Sequence, residues 1–65
     1  MRPPATLSAE LYEIRLVASP TRSLVFATAL ASEQEALEFA RRLLERHPEH
    51  FFAEVWRGMK LLRRV

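Results

Sequence analysis

The first half of the chain alternates between apolar and polar residues. In the segment LYEIRLV (11–17), the even-numbered side chains are all apolar and would point to the same side of an extended chain. This period of two predicts a β-strand with one apolar face. The segment SLVFATAL (23–30) predicts a second strand, because its start is rich in β-forming residues. Between them, SPTR (19–22) has the composition of a turn, since Pro20 presets the backbone dihedral of a turn position. We therefore predict an antiparallel hairpin.

The pattern changes to helical spacing after Ser32. In SEQE (32–35), Ser32 and Glu35 form a capping box, in which the serine hydroxyl accepts from the Glu35 amide and the Glu35 carboxylate reaches back. Pro48 disfavours helical geometry at His47, so the helix is predicted to end there. Apolar residues recur at helical spacing and predict one buried stripe, formed by Ala36, Leu37, Ala40, Leu43 and Leu44 and widened by Phe39.

The C-terminal stretch predicts a second hairpin. FFAEVW (51–56) has strand composition, Arg57-Gly58 can turn the chain, and MKLLRRV (59–65) can return as a short edge strand. Gly58 is the only glycine in the sequence, and a tight hairpin favours a residue that tolerates a positive φ.

The resulting element order is ββαββ, which predicts an α+β fold. A right-handed crossover through the helix makes the third strand parallel to the second, so the third strand can pair antiparallel to the first. The predicted sheet is four-stranded and antiparallel, in the order 2-1-3-4, with one helix on one face. We expect one domain over residues 1–65, with residues 1–9 as a loose N-terminal tail.

The face of this sheet away from the helix is predicted to be too apolar for water. The helix-facing side takes Tyr12, Ile14, Leu16, Leu24, Phe26, Leu30, Phe51 and Val55, with Leu61 as a further candidate. The other side then carries a second apolar set, formed by Leu11, Val17, Val25, Ala27, Ala29, Phe52, Trp56 and Leu62. An antiparallel face that meets water is normally polar, and large exposed apolar patches usually mark an interaction site. The alternatives are a bulge that swaps the strand faces locally, or an N-terminal tail that folds over the patch.

The short length of the chain favours self-association through that face. A chain of 65 residues buries only about 60% of its unfolded surface, and this one has no cysteine with which to form a disulfide. We therefore predict a non-enzymatic interaction domain that forms a homodimer or binds a protein partner. Its predicted interface residues are Val25, Ala27, Phe52, Trp56 and Leu62.

The alternative prediction is a nucleic-acid-binding module. Four cations follow the last acidic residue, and Phe52 and Trp56 can stack on the bases of a single strand. Against this, the net charge is only +2, and basic residues on an edge strand also prevent edge-to-edge aggregation. The candidate contacts are Arg57, Lys60, Arg63 and Arg64.

Other candidate chemistry is sparse. His47, Glu49 and His50 offer nitrogen and oxygen ligands to a divalent metal, although His47 can instead cap the last helical carbonyls. Glu13 and Glu54 can face each other across strands, but the sequence contains no nucleophile triad and no glycine-rich phosphate loop. We expect no cofactor. The longest nearly apolar run is too short to span a bilayer, so we expect a cytoplasmic protein.

Three segments resemble those of short uncharacterised bacterial proteins. They are the Y-x-I of Tyr12 to Ile14, EALEFARRLL (35–44) and EVWRGMKLL (54–62). The resemblance covers most of the chain, and its motifs are mostly structural. The resemblance implies the ββαββ arrangement and a bacterial source, and it implies no activity.

Overall fold

The computed structural model describes residues 9–65, which form four strands and one helix. The strands are β1 (Glu10–Ser19), β2 (Arg22–Leu30), β3 (Phe52–Arg57) and β4 (Lys60–Arg64), and the helix α1 spans Glu33–Arg46. The strands form one antiparallel sheet in the order β2-β1-β3-β4. The predicted α+β fold, element order and strand order are confirmed. Most of the predicted tail falls on residues 1–8, which lie outside the described residues.

The hairpin of β1 and β2 turns at Pro20 and Thr21. The backbone amide of Thr21 donates to the hydroxyl of Ser19 at 3.3 Å, which closes the turn locally. Ala18 is an extra residue between the paired positions of Val17 and Ser19, so β1 carries a bulge beside the turn.

Helix α1 begins and ends at the residues that the sequence predicts. The Ser32 backbone is extended, and its hydroxyl accepts a hydrogen bond from the Glu35 amide at 3.2 Å. The Glu35 carboxylate reaches back to the amide of Ala31, at 3.0 Å, one residue before the cap. At the other end, the His47 amide donates to the Leu44 carbonyl at 3.2 Å. These bonds satisfy backbone groups that a helix leaves unpaired at its ends.

The core lies between α1 and one face of the sheet, and it is small. Its buried residues are Tyr12, Ile14, Leu16, Ala36, Ala40, Ala53 and Val55. Three of these seven are alanines, so only four larger side chains are buried among the described residues. A core of this size gives an isolated domain little hydrophobic stabilisation.

A bulge in β4 reverses the predicted orientations of Leu61 and Leu62. Val55 pairs with Arg63 and Trp56 pairs with Leu61, which leaves Leu62 as an extra residue. Leu62 packs against the core, whereas Leu61 lies opposite Trp56 on the other face of the sheet. The predicted place of Leu62 on the face away from the helix is therefore wrong, because strict alternation fails where a strand gains a residue.

The position of Phe51 also differs from the prediction. Phe51 precedes β3 and is 79% exposed, so it does not join the helix-facing core. Its backbone amide donates to the Val17 carbonyl at 2.8 Å, which extends the pairing of the two strands by one bond. Ala53 is the first buried residue of β3 instead.

The turn between β3 and β4 lies one residue later than predicted. Arg57 and Lys60 are paired, so the turn residues are Gly58 and Met59 rather than Arg57-Gly58. Gly58 has a φ of 63°, and it is the only described residue with a positive φ. A two-residue hairpin turn with positive φ only at its first central position is the type II′ turn, which favours glycine there.

Candidate functional site

The open face of the sheet is the face away from α1, and cross-strand pairing arranges its side chains in rows. We name each row by its β1 residue. The Arg15 row contains Val25, Arg15, Glu54 and Arg64; the Glu13 row contains Ala27, Glu13, Trp56 and Leu61; the Val17 row contains Ser23, Val17 and Phe52. Four of the five predicted interface residues therefore lie on the open face, and Leu61 stands where Leu62 was predicted.

The open face carries large side chains along one edge and small side chains along the other. The β2 side carries small or short side chains, all of them exposed, namely Ser23, Val25, Ala27 and Ala29. The β3 and β4 side carries the bulky ones, namely Phe52, Trp56, Leu61 and Arg64. Leu11, Val25 and Leu61 are large apolar residues that remain exposed on this face. The surface thus combines a ridge of large side chains with a shallow apolar strip beside it.

Glu54 is the centre of a network that fixes the ridge. Its Oε1 accepts from the Trp56 indole Nε1 at 3.0 Å, and its Oε2 accepts from Arg64 Nη2 at 3.2 Å. The guanidinium of Arg64 lies 4.7 Å from the Phe52 ring centroid, and that of Arg15 lies 5.2 Å from the Trp56 ring centroid. The Glu54 side chain is only 12% exposed, although it lies on the face away from the core. Two hydrogen bonds and two cation–π contacts therefore hold the aromatic rings in place before any partner binds.

The charges of the open face are balanced. Its three named rows contain two carboxylates, Glu13 and Glu54, and two guanidiniums, Arg15 and Arg64. A surface without net charge does not attract a polyanion, since nucleic-acid binding depends on an excess of cations. The same balance suits a surface that meets an identical copy, because an isologous contact must be complementary to itself.

The four predicted nucleic-acid contacts do not form one basic patch. Arg64 lies on the open face, whereas Arg63 lies on the helix side of the sheet, where its Nε is 3.8 Å from Glu33 Oε2. Arg57 forms an ion pair with Glu10, and Lys60 is the cross-strand neighbour of Arg57. The candidate cations are therefore divided between the two faces, and three of them face a carboxylate.

The two histidines lie together after the helix. His47 Nδ1 is 2.8 Å from the Leu43 carbonyl, so it donates to a free helical carbonyl, and this confirms the capping role that the sequence allowed. The rings of His47 and His50 meet edge to face, with centroids 5.9 Å apart. His50 Nδ1 is buried, 3.5 Å from Glu49 Oε2, without a hydrogen bond within the described residues. Across residues 9–65, no group of three or more His, Cys, Asp or Glu side chains is placed to hold a metal ion.

An apolar cleft continues the open face beyond the end of the sheet. It has a volume of about 420 Å³ and is lined by Val17, Ala18, Ser19, Pro20, Phe51 and Phe52. Val17 and Phe52 belong to both the cleft and the open face, so the apolar surface is continuous at that end. The exposed ring of Phe51 adds to it.

Sequence reasoning missed three features of this surface. Arg15 and Glu54 are directly opposite each other, and this pair follows from the predicted pairing of the first and third strands once a register is chosen. The hydrogen bond from Trp56 to Glu54 joins residues two apart on one strand, which share a face. The exposure of Leu61 depends on the bulge, for which the sequence gives no glycine or other signal.

Comparisons with known proteins add no relative. No protein-family model matches the chain, and no curated protein and no solved structure matches it significantly. Within residues 9–65, no helix is long and apolar enough to cross a membrane.

Proposed function

We propose that this protein is a small non-enzymatic interaction domain that associates with a second copy of itself through the open face of its sheet. The observation that carries the proposal is the open face itself. It combines exposed Leu11, Val25 and Leu61 with aromatic rings that the Glu54 network already holds in place. Tryptophan and arginine in prearranged positions are typical of the residues that dominate binding energy at protein interfaces.

The small core supports the same proposal. Within residues 9–65, only four side chains larger than alanine are buried, so burial of a second apolar surface would add substantially to the stability of the chain. Four strands about 4.8 Å apart and seven residues of about 3.4 Å each give the open face a flat footprint of about 450 Å². Two such faces, with their side-chain relief, reach the roughly 1,000 Å² that a specific interface needs.

The test compares two leucines that are equally exposed on opposite faces. Leu24 and Leu61 are each 41% exposed; Leu24 lies opposite buried Leu16 on the helix side, and Leu61 lies on the open face. Leu61→Ala and Trp56→Ala should weaken association, measured by sedimentation equilibrium over a range of concentrations. Leu24→Ala should leave it unchanged. Equal effects of Leu24→Ala and Leu61→Ala would contradict the proposal, because they would show that association does not use the open face.

Nucleic-acid binding is the alternative, and it has a separate test. Lys60→Glu combined with Arg63→Glu removes two of the candidate contacts on the helix side of the sheet and leaves the open face intact. We expect wild-type Trp56 fluorescence to show no salt-sensitive change on titration with single-stranded DNA. Saturable binding that this double variant abolishes would favour the alternative instead.

A further inference from the structure

The shape of the open face indicates how two copies would meet. Two sheets that pack face to face keep their strands within about 30° of each other, about 10 Å apart. An isologous pair then has two simple choices, because its two-fold axis runs either along the strands or across them. An axis along the strands places the β2 side of one copy over the β4 side of the other. An axis across the strands places each strand over its own equivalent.

The positions of large and small side chains on the open face distinguish the two axes. An axis across the strands would stack the bulky ridge of Phe52, Trp56 and Arg64 on itself and leave the two shallow β2 strips facing each other over a gap. An axis along the strands sets the β4 part of each ridge over the other copy's shallow strip, so that Leu61 lies over Ala27 and Arg64 over Val25 of the second copy. The β3 part of the ridge, Phe52 and Trp56, then lies over β1 of the second copy. Close packing of large against small side chains is the arrangement that interfaces require.

The charged side chains of the open face also favour the axis along the strands. Because β1 and β3 are the two central strands, an axis along the strands passes between them and superposes each on the other strand of the second copy. Arg15 of each copy then faces Glu54 of the other copy, so that one symmetric interface contains this pair twice. Val17 faces Phe52 in the next row. These pairs lie nearest to the axis, where the angle between the sheets displaces the rows least.

From these observations we propose that the protein forms an isologous dimer whose two-fold axis runs parallel to the strands, between β1 and β3, with Arg15 of each copy paired to Glu54 of the other. This inference rests on the proposed function, since it specifies the geometry of the same association. The dimer is a four-layer arrangement of helix, sheet, sheet and helix.

A mixing experiment with charge-reversed variants tests the geometry. Arg15→Glu and Glu54→Arg each place like charges opposite each other in their own homodimers, whereas the mixture restores two opposite-charge pairs. We expect the mixed dimer to be about 100-fold tighter than either homodimer. Arg15 and Glu54 are also neighbours within one chain, but mixing cannot relieve repulsion inside a chain. A gain on mixing therefore reports contacts between copies.

Glu13 provides the matched control. With the axis along the strands, Glu13 faces Trp56 of the second copy and has no cation opposite; with an axis across the strands midway between the Glu13 and Arg15 rows, it faces Arg15 of the second copy. Glu13→Gln should therefore tighten the dimer several-fold, and Glu13→Arg should give no gain when mixed with Arg15→Glu. Weaker association of Glu13→Gln, or preferential pairing of Glu13→Arg with Arg15→Glu, would overturn the proposed axis.

Cysteine cross-linking gives a second readout that does not depend on charge, because the natural sequence has no cysteine. Ala27→Cys mixed with Leu61→Cys should be joined by a bismaleimide about 10 Å long, the distance between packed sheets. Ala27→Cys alone should not cross-link, since the two copies of residue 27 lie on opposite sides of the axis. Self-cross-linking of Ala27→Cys would overturn the geometry and leave the self-association intact. A monomeric wild-type protein would instead overturn both the geometry and the proposed function.

Discussion

Leu61 and Leu62 are identical neighbours on β4, and the bulge gives them opposite environments. Leu62 packs against the core, whereas Leu61 lies 41% exposed on the open face. Truncation of each to alanine should therefore separate the stability of the fold from the strength of association. Leu62→Ala should lower the free energy of unfolding, and Leu61→Ala should raise the dissociation constant of the dimer.

The expected magnitudes follow from the area that each side chain buries. Leu→Ala removes three carbon groups, each worth about 0.8 kcal/mol when fully buried, so complete burial of the group would contribute about 2.4 kcal/mol. Leu62 is partly buried, so we expect a loss of about 1 to 1.5 kcal/mol and a fall in the melting midpoint of roughly 5 to 10 °C. Burial of the exposed part of Leu61 contributes about 1 kcal/mol per copy, or about 2 kcal/mol per dimer, which corresponds to about a 30-fold change in Kd.

The assay requires stability and association to be measured separately. Urea unfolding followed by far-ultraviolet circular dichroism, at concentrations below the wild-type Kd, reports the stability of the monomer. Sedimentation equilibrium of the same variants reports association. Leu61→Ala should change the monomer's stability by less than about 0.5 kcal/mol. A stable Leu62→Ala variant together with an unstable Leu61→Ala variant would refute the bulge, because simple alternation along β4 predicts that result.

Three further substitutions test local parts of the fold by the same unfolding assay. Gly58→Ala should lower stability by about 1 to 2 kcal/mol, because an added Cβ meets nothing within 4 Å and the loss comes from the positive φ alone; exposed Met59→Ala is the control, and equal losses would show that the turn does not need glycine. Ser32→Ala should lower stability by about 1 kcal/mol through loss of the helix cap, and an unchanged value would contradict the capping bond. Arg63→Gln should change stability by less than about 0.5 kcal/mol, because its contact with Glu33 is long and exposed; a larger loss would show that the pair is structural.

The parts of the fold that sequence predicts are those set by local signals. The alternation in residues 11–17, the cap at Ser32 and the stop at Pro48 each act over a few residues, and the structure has all three. The strand order also follows, since a right-handed crossover leaves β3 the free side of β1. The open face could be predicted as apolar for the same reason, because alternation assigns Val25, Ala27, Phe52 and Trp56 to it.

The parts that sequence does not predict depend on contacts between distant segments. The bulge at Leu62 satisfies both the pairing with β3 and the packing on the core, and no single residue marks it. The Glu54 network needs the register that places Arg64 opposite Glu54 and Arg15 on its other side. A pattern of apolar and polar positions therefore identifies the open face, but it does not identify the charged pairs that would orient a partner on that face.

The solution mass of the wild-type protein tests the central claim most directly. Light scattering at moderate salt, from low micromolar concentration up to that of a concentrated stock, should show a mass that rises with concentration and approaches twice the 7.6 kDa of the chain. The same measurement on Trp56→Ala should show a shift towards the single-chain mass, since the indole lies at the centre of the proposed contact. A wild-type mass that stays at 7.6 kDa over the whole range would contradict self-association through the open face.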